Sequence, residues 1–250
     1  MNAPDARALA LAHNLEQVTA RIDRATAAAG RVRTPTLIVV TKFHPALDVQ
    51  RLRALGVRDV GENRDQEAAA KALDVADDSL RWHFIGQLQT NKAKSVVQYA
   101  HSVHSLDRAS VIGALDKAMA AQQEHDGRAA LECFIQVDLS GTSTDGAPDA
   151  GAGPSGRGGA APAQVLHLAD LVAATAGLEL AGVMAVAPLG VDAGAAFELL
   201  AGISSDLVRQ HPHAVGISAG MSQDLEQAID AGATHLRVGS DILGPRPGVG

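Results

Sequence analysis

The sequence predicts an α/β protein: a single (β/α)8 barrel of the TIM type with an extra N-terminal helix. Eight short apolar runs alternate with longer segments whose apolar residues recur at i, i+3 and i+4, the spacing of an amphipathic helix. The chain has 250 residues, a length typical of such a barrel. An open, doubly wound sheet is the alternative, but the turn after the first strand, "VTKFHP", lacks the glycine fingerprint often found there.

One helix and eight strands account for the order of the elements. Residues 5 to 29 are rich in alanine and amphipathic, so we expect a helix that closes the bottom of the barrel or packs outside it. Strands that alternate with helices such as "PALDVQRLRALG" require crossover connections, which make the sheet parallel. The predicted strands are "TLIVVTK", "VRDVGEN", "RWHFIGQ", "AHSVHSL", "LECFIQVDLS", "LELAGVMAV", "AVGISAG" and "HLRVGSD".

One segment interrupts this alternation. In residues 142–163, "TSTDGAPDAGAGPSGRGGAAPA", Gly, Ala and Pro make up 15 of 22 positions and no apolar period is present. We predict a flexible insertion after the fifth strand, within a single domain that spans residues 1–250. A solvated loop is the simpler interpretation, although a loop on the C-terminal face of a barrel can also cover a site.

The composition excludes several classes of partner. A net charge of −7, with one Trp, one Tyr and four Phe, provides neither the positive field nor the stacking surfaces of a nucleic-acid binder, and it disfavours anionic membranes. The ten histidines are dispersed, so we expect no metal site. The single cysteine, Cys133, cannot form an intramolecular disulfide, and the sequence contains neither a signal-peptide pattern nor a membrane-spanning window. We therefore expect a cytoplasmic protein.

Polar residues stand at the ends of the predicted strands. In a parallel barrel these ends meet at one face, so residues far apart in sequence converge there. Each of these residues also has a purely structural explanation. A strand-end Asn or Asp often caps the next helix, and an isolated histidine is usually hydrogen-bonded to its neighbours without a catalytic role. The strand-end residues include Lys42, Glu62, Asn63, His83, His104, Asp138, Met184, Ser218, Arg237, Gly239 and Ser240.

The last two strands predict a phosphate site. Ser222 precedes a helical segment as a plausible N-cap, and Gly239 and Ser240 lie between the eighth strand and a short helical turn. Free backbone N–H groups at a helix N-terminus, approached closely at a glycine, bind anions. Barrels commonly build such a site from the loops after strands 7 and 8.

A lysine ends the first strand, which is the neighbour of the eighth in a closed barrel. Lys42 stands in an apolar mouth, where desolvation favours the nucleophilic form of an amine that attacks carbonyls. On its own the residue is also explained as a surface lysine that extends its amine to water. Beside a phosphate site, it predicts a phosphorylated carbonyl ligand, either pyridoxal 5′-phosphate (PLP) or a sugar-phosphate aldehyde. Arg237 can only donate hydrogen bonds, so facing a pyridine nitrogen it would keep that nitrogen unprotonated, and facing a sugar phosphate it would add charge.

The motifs together resemble a known family. "VVTKFHP", "GENRDQE", "WHFIGQLQTNK", "VHSLDR", "GVMAV" and "ISAGMSQDLEQAIDAGATHLRVGSDILG" resemble the pyridoxal phosphate homeostasis proteins of the YggS/PROSC type, whose fold is that of the alanine racemase N-terminal domain. The resemblance runs from about residue 10 to residue 245. It departs from the family at Arg64, where an aromatic residue is common, and in the long insertion.

The resemblance implies a binding site and a role. It implies that Lys42 holds PLP as a Schiff base, that Arg237 lies near the pyridine nitrogen, and that no residue is catalytic. The residues implied at the phosphate are Ser218, Ser222, Gly239 and Ser240, and those implied to line the pocket are Asn63, His83 and Met184. The implied function is intracellular PLP homeostasis, with effects on amino-acid and keto-acid balance; delivery of PLP to apo-enzymes that need it stays open.

Two enzymes are alternatives. A PLP-dependent amino-acid racemase needs a second acid or base opposite the lysine, which in related racemases is a tyrosine from an added domain of the partner subunit. The sequence stops shortly after the eighth strand and its one tyrosine, Tyr99, precedes the fourth, so we expect little racemisation and a monomer. A cofactor-free Schiff-base aldolase would use the same lysine but remain colourless. A regulatory protein that docks on a client enzyme is a third alternative.

Overall fold

Eight parallel strands, paired in sequence order, close into a barrel. The computed structural model describes residues 5–140 and 158–246. The strands are β1 (Thr36–Val40), β2 (Asp59–Glu62), β3 (Arg81–Phe84), β4 (Ala100–Leu106), β5 (Leu131–Gln136), β6 (Leu178–Met184), β7 (Gly216–Ser218) and β8 (His235–Val238). Each predicted run contains one of them, so the predicted (β/α)8 barrel is confirmed.

Helices surround the barrel. They are α1 (Ala6–Ala28), α2 (Ala46–Ala54), α3 (Asp65–Val75), α4 (Ala93–Tyr99), α5 (Ala109–Asp126), α6 (Val165–Ala173), α7 (Ala193–Gln210), α8 (Leu225–Asp230) and α9 (Ser240–Leu243). Short 3-10 turns precede α4 and α6. In the described ranges, no helix combines the length and the apolar content needed to cross a bilayer.

The extra helix α1 packs outside the barrel, against α2, α8 and α9. It begins at Asp5, whose carboxylate accepts hydrogen bonds from the backbone N–H groups of Arg7 and Ala8 at 3.0 and 3.4 Å. Leu11, Val18 and Ile22 form its buried stripe. The helix therefore covers the seam where β8 pairs with β1.

Only the end of the predicted insertion lies within the described residues. Ala160 forms an isolated parallel bridge with Val137, and its backbone N–H donates to the carbonyl of Gln136 at 2.8 Å. A 3-10 turn over Pro162–Gln164 then leads into α6. Residues 158–163 are thus fixed to the rim of the barrel beyond β5, and residues 142–157 lie outside the described residues.

Buried charges fix the turn that follows β1. The Lys71 ammonium donates to the backbone carbonyl of Thr41 at 2.8 Å, to Glu62 at 2.7 Å and to Glu67 at 2.6 Å. Glu62 also accepts from the Thr41 hydroxyl at 2.6 Å, and Glu67 accepts from the backbone N–H of Phe43 at 2.5 Å. Phe43 has a φ of 69°, a left-handed conformation that costs a non-glycine residue energy. The network stabilises this strained turn.

Histidines occupy the barrel interior, where branched apolar residues are usual. His83 (β3) and His104 (β4) meet edge to face at 5.3 Å between ring centroids, and His104 stacks on Phe134 (β5) at 4.2 Å. His235 (β8) contacts the edge of Phe134 at 5.2 Å. Burial lowers the pKa values of all three histidines, that of His235 to about 4. The cluster is therefore neutral at pH 7.

We expect Lys71→Met to lower the free energy of unfolding by about 3–5 kcal/mol, because it leaves the buried Glu62 carboxylate without its cation. Urea denaturation monitored by circular dichroism measures this change. Lys94→Met, at an exposed position on α4, is the matched control and should cost little. Equal stability of the two variants would contradict a stabilising role for the Lys71 network.

Acid should destabilise the fold through the neutral histidines. The pKa of His235 is about 4 in the folded protein and about 6.5 in an unfolded chain. Stability from the neutral form is complete above pH 6.5 and is lost as the pH falls toward 4, because only the unfolded chain binds the proton there. His235 alone should contribute a slope of up to about 1.4 kcal/mol per pH unit. Urea titrations at several pH values measure the slope, and His235→Gln should flatten it; an unchanged slope would refute the assignment.

Candidate functional site

A cavity of about 520 Å³ opens at the carboxyl ends of β1, β6, β7 and β8. It is the C-terminal face on which barrels build their sites. Seven of the nine residues predicted for the site line it: Lys42, Asn63, Met184, Ser222, Arg237, Gly239 and Ser240. The structure thus brings together residues separated by up to 198 positions, because the last strand closes on the first.

Lys42 lies two residues beyond β1 in the turn that Lys71 and its carboxylates hold. Its side chain is half-buried and lines the cavity. The ammonium nitrogen is 6.0 Å from the centroid of the Phe43 ring, which stands beside it in the left-handed conformation. The strained turn therefore directs an amine and an aromatic ring to the same opening.

Two hydroxyls meet at the other side of the cavity. The oxygens of Ser222, in the loop after β7, and Ser240, the first residue of α9, are 3.1 Å apart. The helical hydrogen bonds of α9 begin with Ile242, whose N–H donates to the Gly239 carbonyl at 3.0 Å, so the N–H groups of Ser240 and Asp241 precede the first of them. Hydroxyls and free amides at this place form a donor set for an anion.

The predicted N-cap role of Ser222 is wrong. Helix α8 begins at Leu225, and Asp224 is the residue that precedes it. The Asp224 carboxylate accepts from the backbone N–H of Met221 at 2.6 Å and thereby closes the turn. The Ser222 hydroxyl faces Ser240 as a consequence, so the residue belongs to the predicted site for a different reason.

Gly239 is required by the contact between β1 and β8. A Cβ atom at this position would lie 2.9 Å from the carbonyl oxygen of Val40 and 3.2 Å from its Cβ. Any larger residue would push the two strands apart. The glycine was predicted to allow close approach of an anion, whereas in the structure it allows close approach of the neighbouring strand.

Arg237 is a buried cation held by neutral acceptors. Its guanidinium donates to the Ser218 hydroxyl at 2.7 Å and to the backbone carbonyl of Ala185 at 2.8 Å, and the side chain lines the cavity. Burial lowers its pKa to about 10, so it keeps its charge at neutral pH. It is positioned to donate hydrogen bonds to a ligand and unable to accept one.

The two other predicted residues, Ser218 and His83, do not line the cavity. Ser218 is fully buried beneath Arg237, and His83 lies deeper, in contact with Asp59 at 2.9 Å and Ser102 at 2.6 Å. Both were predicted at strand ends, but His83 is the third residue of β3 and its side chain points into the barrel. Ile85, two residues later, lines the cavity instead.

Sequence reasoning also missed two arginines. Arg21 on α1 donates to the backbone carbonyl of Ser222 at 2.8 Å and pairs with Asp241 at 3.2 Å, which fixes both sides of the hydroxyl pair. Arg246 lines the cavity, with its guanidinium carbon 3.5 Å from the centroid of the Phe43 ring. Neither residue directly follows a strand, so predicting site residues from the ends of strands could not find them.

The donor set fits PLP. The amine of Lys42 can react with the aldehyde of PLP, and the two hydroxyls and free amides can bind its phosphate. The guanidinium of Arg237 can donate to the pyridine nitrogen, and the apolar walls suit the ring. The apolar lining comes from Val40, Ile85, Met184, Val186 and Met221. Among residues 5–140 and 158–246, no three His, Cys, Asp or Glu side chains come together in a way that could hold a metal ion.

Relatives in sequence identify the family. The family model described as "Alanine racemase, N-terminal domain" matches residues 9–247. The pyridoxal phosphate homeostasis protein of Mycobacterium leprae is 39% identical over 246 residues, which span 94% of this chain and 92% of that protein. The protein of the same name from Corynebacterium glutamicum is 42% identical over 213 residues, which span 84% and 90%.

Solved structures agree with this placement. PipY of Synechococcus elongatus PCC7942, solved with PLP bound, has a TM-score of 0.75 and 29% identity and covers 94% of this chain and 100% of its own. An alanine racemase of Corynebacterium glutamicum has a TM-score of 0.65 at 14% identity over 60% of its length, which shows a shared fold alone. By the family model and by its relatives, this chain belongs to the pyridoxal phosphate homeostasis protein family, with the fold of the alanine racemase N-terminal domain.

Proposed function

We propose that this protein binds PLP through a Schiff base on Lys42 and serves intracellular PLP homeostasis, with effects on amino-acid and keto-acid balance. The observation that carries the proposal is that Lys42, the Ser222–Ser240 pair and Arg237 line one cavity. The names of the relatives and the PLP-bound structure of PipY support it. Arg237 would also suit a sugar phosphate, so these relatives are what favour PLP over a cofactor-free aldolase.

Each side chain has a role in this proposal. When bound, PLP supplies an aldehyde that condenses with a primary amine and a ring that withdraws electrons. Lys42 provides the amine, at a position fixed by the strained turn after β1. Ser222 and Ser240 would offer hydroxyl hydrogen bonds to the phosphate, and Arg21 positions Ser222 by donating to its backbone carbonyl.

Arg237 favours holding the cofactor over catalysis. A guanidinium that donates to the pyridine nitrogen competes with protonation of that nitrogen, and an unprotonated ring withdraws electrons less strongly. Its pKa of about 10 keeps the arginine charged across the physiological range. Arg237 would therefore favour, in bound PLP, the form of the ring that least promotes reactions at a substrate carbon.

We also propose that the protein does not racemise amino acids. A second acid or base is needed on the face opposite Lys42, and Tyr99, the one tyrosine of the chain, does not line the cavity. Its hydroxyl lies 3.4 Å from Asp65, beside α3, and burial raises its pKa. The tyrosine is thus a packing residue of the outer helices.

Compartment and partners follow from the same proposal. Cys133 is fully buried and burial raises the pKa of its thiol, so it suits a reducing compartment, which we take to be the cytoplasm. A monomer suffices, because every proposed cofactor contact comes from one chain. Apo-enzymes that require PLP are the proposed recipients.

Borohydride reduction of the protein with PLP should attach the cofactor to Lys42, because this is the amine in the cavity. Peptide mass analysis locates the label. Lys42→Met should give a protein that does not turn yellow, whereas Lys94→Met, at an exposed position, should match the wild type. A label on another lysine would overturn the proposal.

Purified protein loaded with PLP should racemise L-alanine at no more than the rate of free PLP, since Tyr99, the residue type that supplies the second acid or base in related racemases, does not line the cavity. Loss of optical rotation over hours measures the rate. An alanine racemase assayed beside it is the positive control. Turnover that disappears in Lys42→Met would show that a second acid or base exists.

A further inference from the structure

A continuous chain of hydrogen bonds leads from the cavity into the barrel. It begins at Arg237, which lines the cavity, and ends at Asp59, the first residue of β2, at the opposite end of the strands. All its members are buried. In order, they are Arg237, Ser218, His104, Ser102, His83 and Asp59.

The arginine leaves the hydroxyl proton of Ser218 available for the next contact of the chain. A guanidinium only donates, so the Ser218 oxygen accepts from Arg237 at 2.7 Å. The Ser218 hydroxyl proton is then free to donate to Nδ1 of His104 at 2.8 Å. A neutral His104 that accepts at Nδ1 carries its proton on Nε2.

The carboxylate fixes the direction of the chain at the far end. Asp59 only accepts, so Nε2 of His83 donates to it at 2.9 Å and Nδ1 of His83 is an acceptor. The Ser102 hydroxyl donates to that Nδ1 at 2.6 Å and accepts from Nε2 of His104 at 2.8 Å. The carboxylate end therefore requires an Nε2 proton on both histidines, and the arginine end is compatible with this tautomer.

The electrostatics agree with this order. Burial lowers the pKa values of His83 and His104, so both rings are neutral at pH 7. Burial alone would raise the pKa of Asp59, but hydrogen bonds from His83 and Arg81 lower it well below its usual value. Neutral groups thus join one buried cation to one buried anion. Aligned bonds of this kind polarise and strengthen one another.

We propose that Asp59 is a positioning residue for the cofactor: through the chain of hydroxyls and imidazoles it orients the guanidinium of Arg237 toward the pyridine nitrogen. The part that concerns the cofactor rests on the proposed function. The direction of donation along the hydrogen bonds does not depend on PLP. Ordinary core packing would not require one direction of donation along five successive contacts.

The alignment is tested without any cofactor. In cofactor-free protein labelled with 15N-histidine, nitrogen chemical shifts at pH 7 should show His83 and His104 as neutral rings protonated on Nε2. A charged ring, or a proton on Nδ1 of either residue, would overturn the proposal. This result does not depend on PLP binding, so it separates a failure of the chain from a failure of the proposed function.

The effect on the site is tested with Asp59→Asn, which keeps the shape and removes the charge. We expect a shifted visible absorption maximum of bound PLP and roughly tenfold weaker retention, the size of one charge-assisted hydrogen bond. The matched control is Glu132→Gln on β5: Glu132 stands at the same end of the barrel but contacts His101, at 3.3 Å, outside the chain. Equal spectra and retention for the two variants would overturn the proposal.

A second pair of variants tests the proposal if Asp59→Asn does not fold. His83→Phe keeps the Asp59–Arg81 ion pair of 2.6 Å and the ring volume but breaks the chain, and it should reproduce the spectral shift. His83→Gln retains one donor and one acceptor and should restore the wild-type spectrum in part. A wild-type spectrum in His83→Phe would refute the proposal. Wild-type protein that never binds PLP would refute the proposed function and leave the tautomer result standing.

Discussion

The pairing of β8 with β1 is the interaction on which the site depends. Backbone partners run from Thr36 opposite His235 to Val39 opposite Val238, so the ends of the first and last strands lie side by side. Gly239 permits the close contact with Val40 that follows. Without this closure, the amine of Lys42 and the hydroxyl of Ser240 would belong to opposite edges of an open sheet. The cavity therefore forms only when β8 pairs with β1.

The sequence alone predicted the barrel and most of the cavity for one physical reason. Strand periodicity locates the strands, and parallel closure brings their ends together, so Lys42, Asn63 and Ser240 were found by position. Position at a strand end wrongly predicted that His83 and Ser218 line the cavity. Both are buried beneath it, because a polar residue near a strand end can point into the barrel as easily as toward its mouth. Periodicity gives the strand but not the depth of a side chain within it.

Other features were beyond sequence reasoning because they depend on contacts between distant elements. Arg21 reaches Ser222 across 201 positions, and Lys71 reaches Thr41 across 30. Lysines and arginines on amphipathic helices are normally read as a solvated face, and nothing local distinguishes these two. The same holds for the alignment of protons between Arg237 and Asp59, which exists only once five strands have assembled.

Helix α1 has a consequence for how the protein is made. Its side chains hold α9: Arg7 and Asn14 each donate at 3.0 Å to backbone carbonyls of this helix, at Leu243 and Ile242. During synthesis α1, β1 and Lys42 leave the ribosome before β8 and α9, their partners in the fold. A nascent chain therefore exposes the Lys42 amine before the proposed phosphate contacts at Ser222 and Ser240 exist. Selective capture of the ligand therefore waits until β8 and α9 have been translated and have packed against β1 and α1.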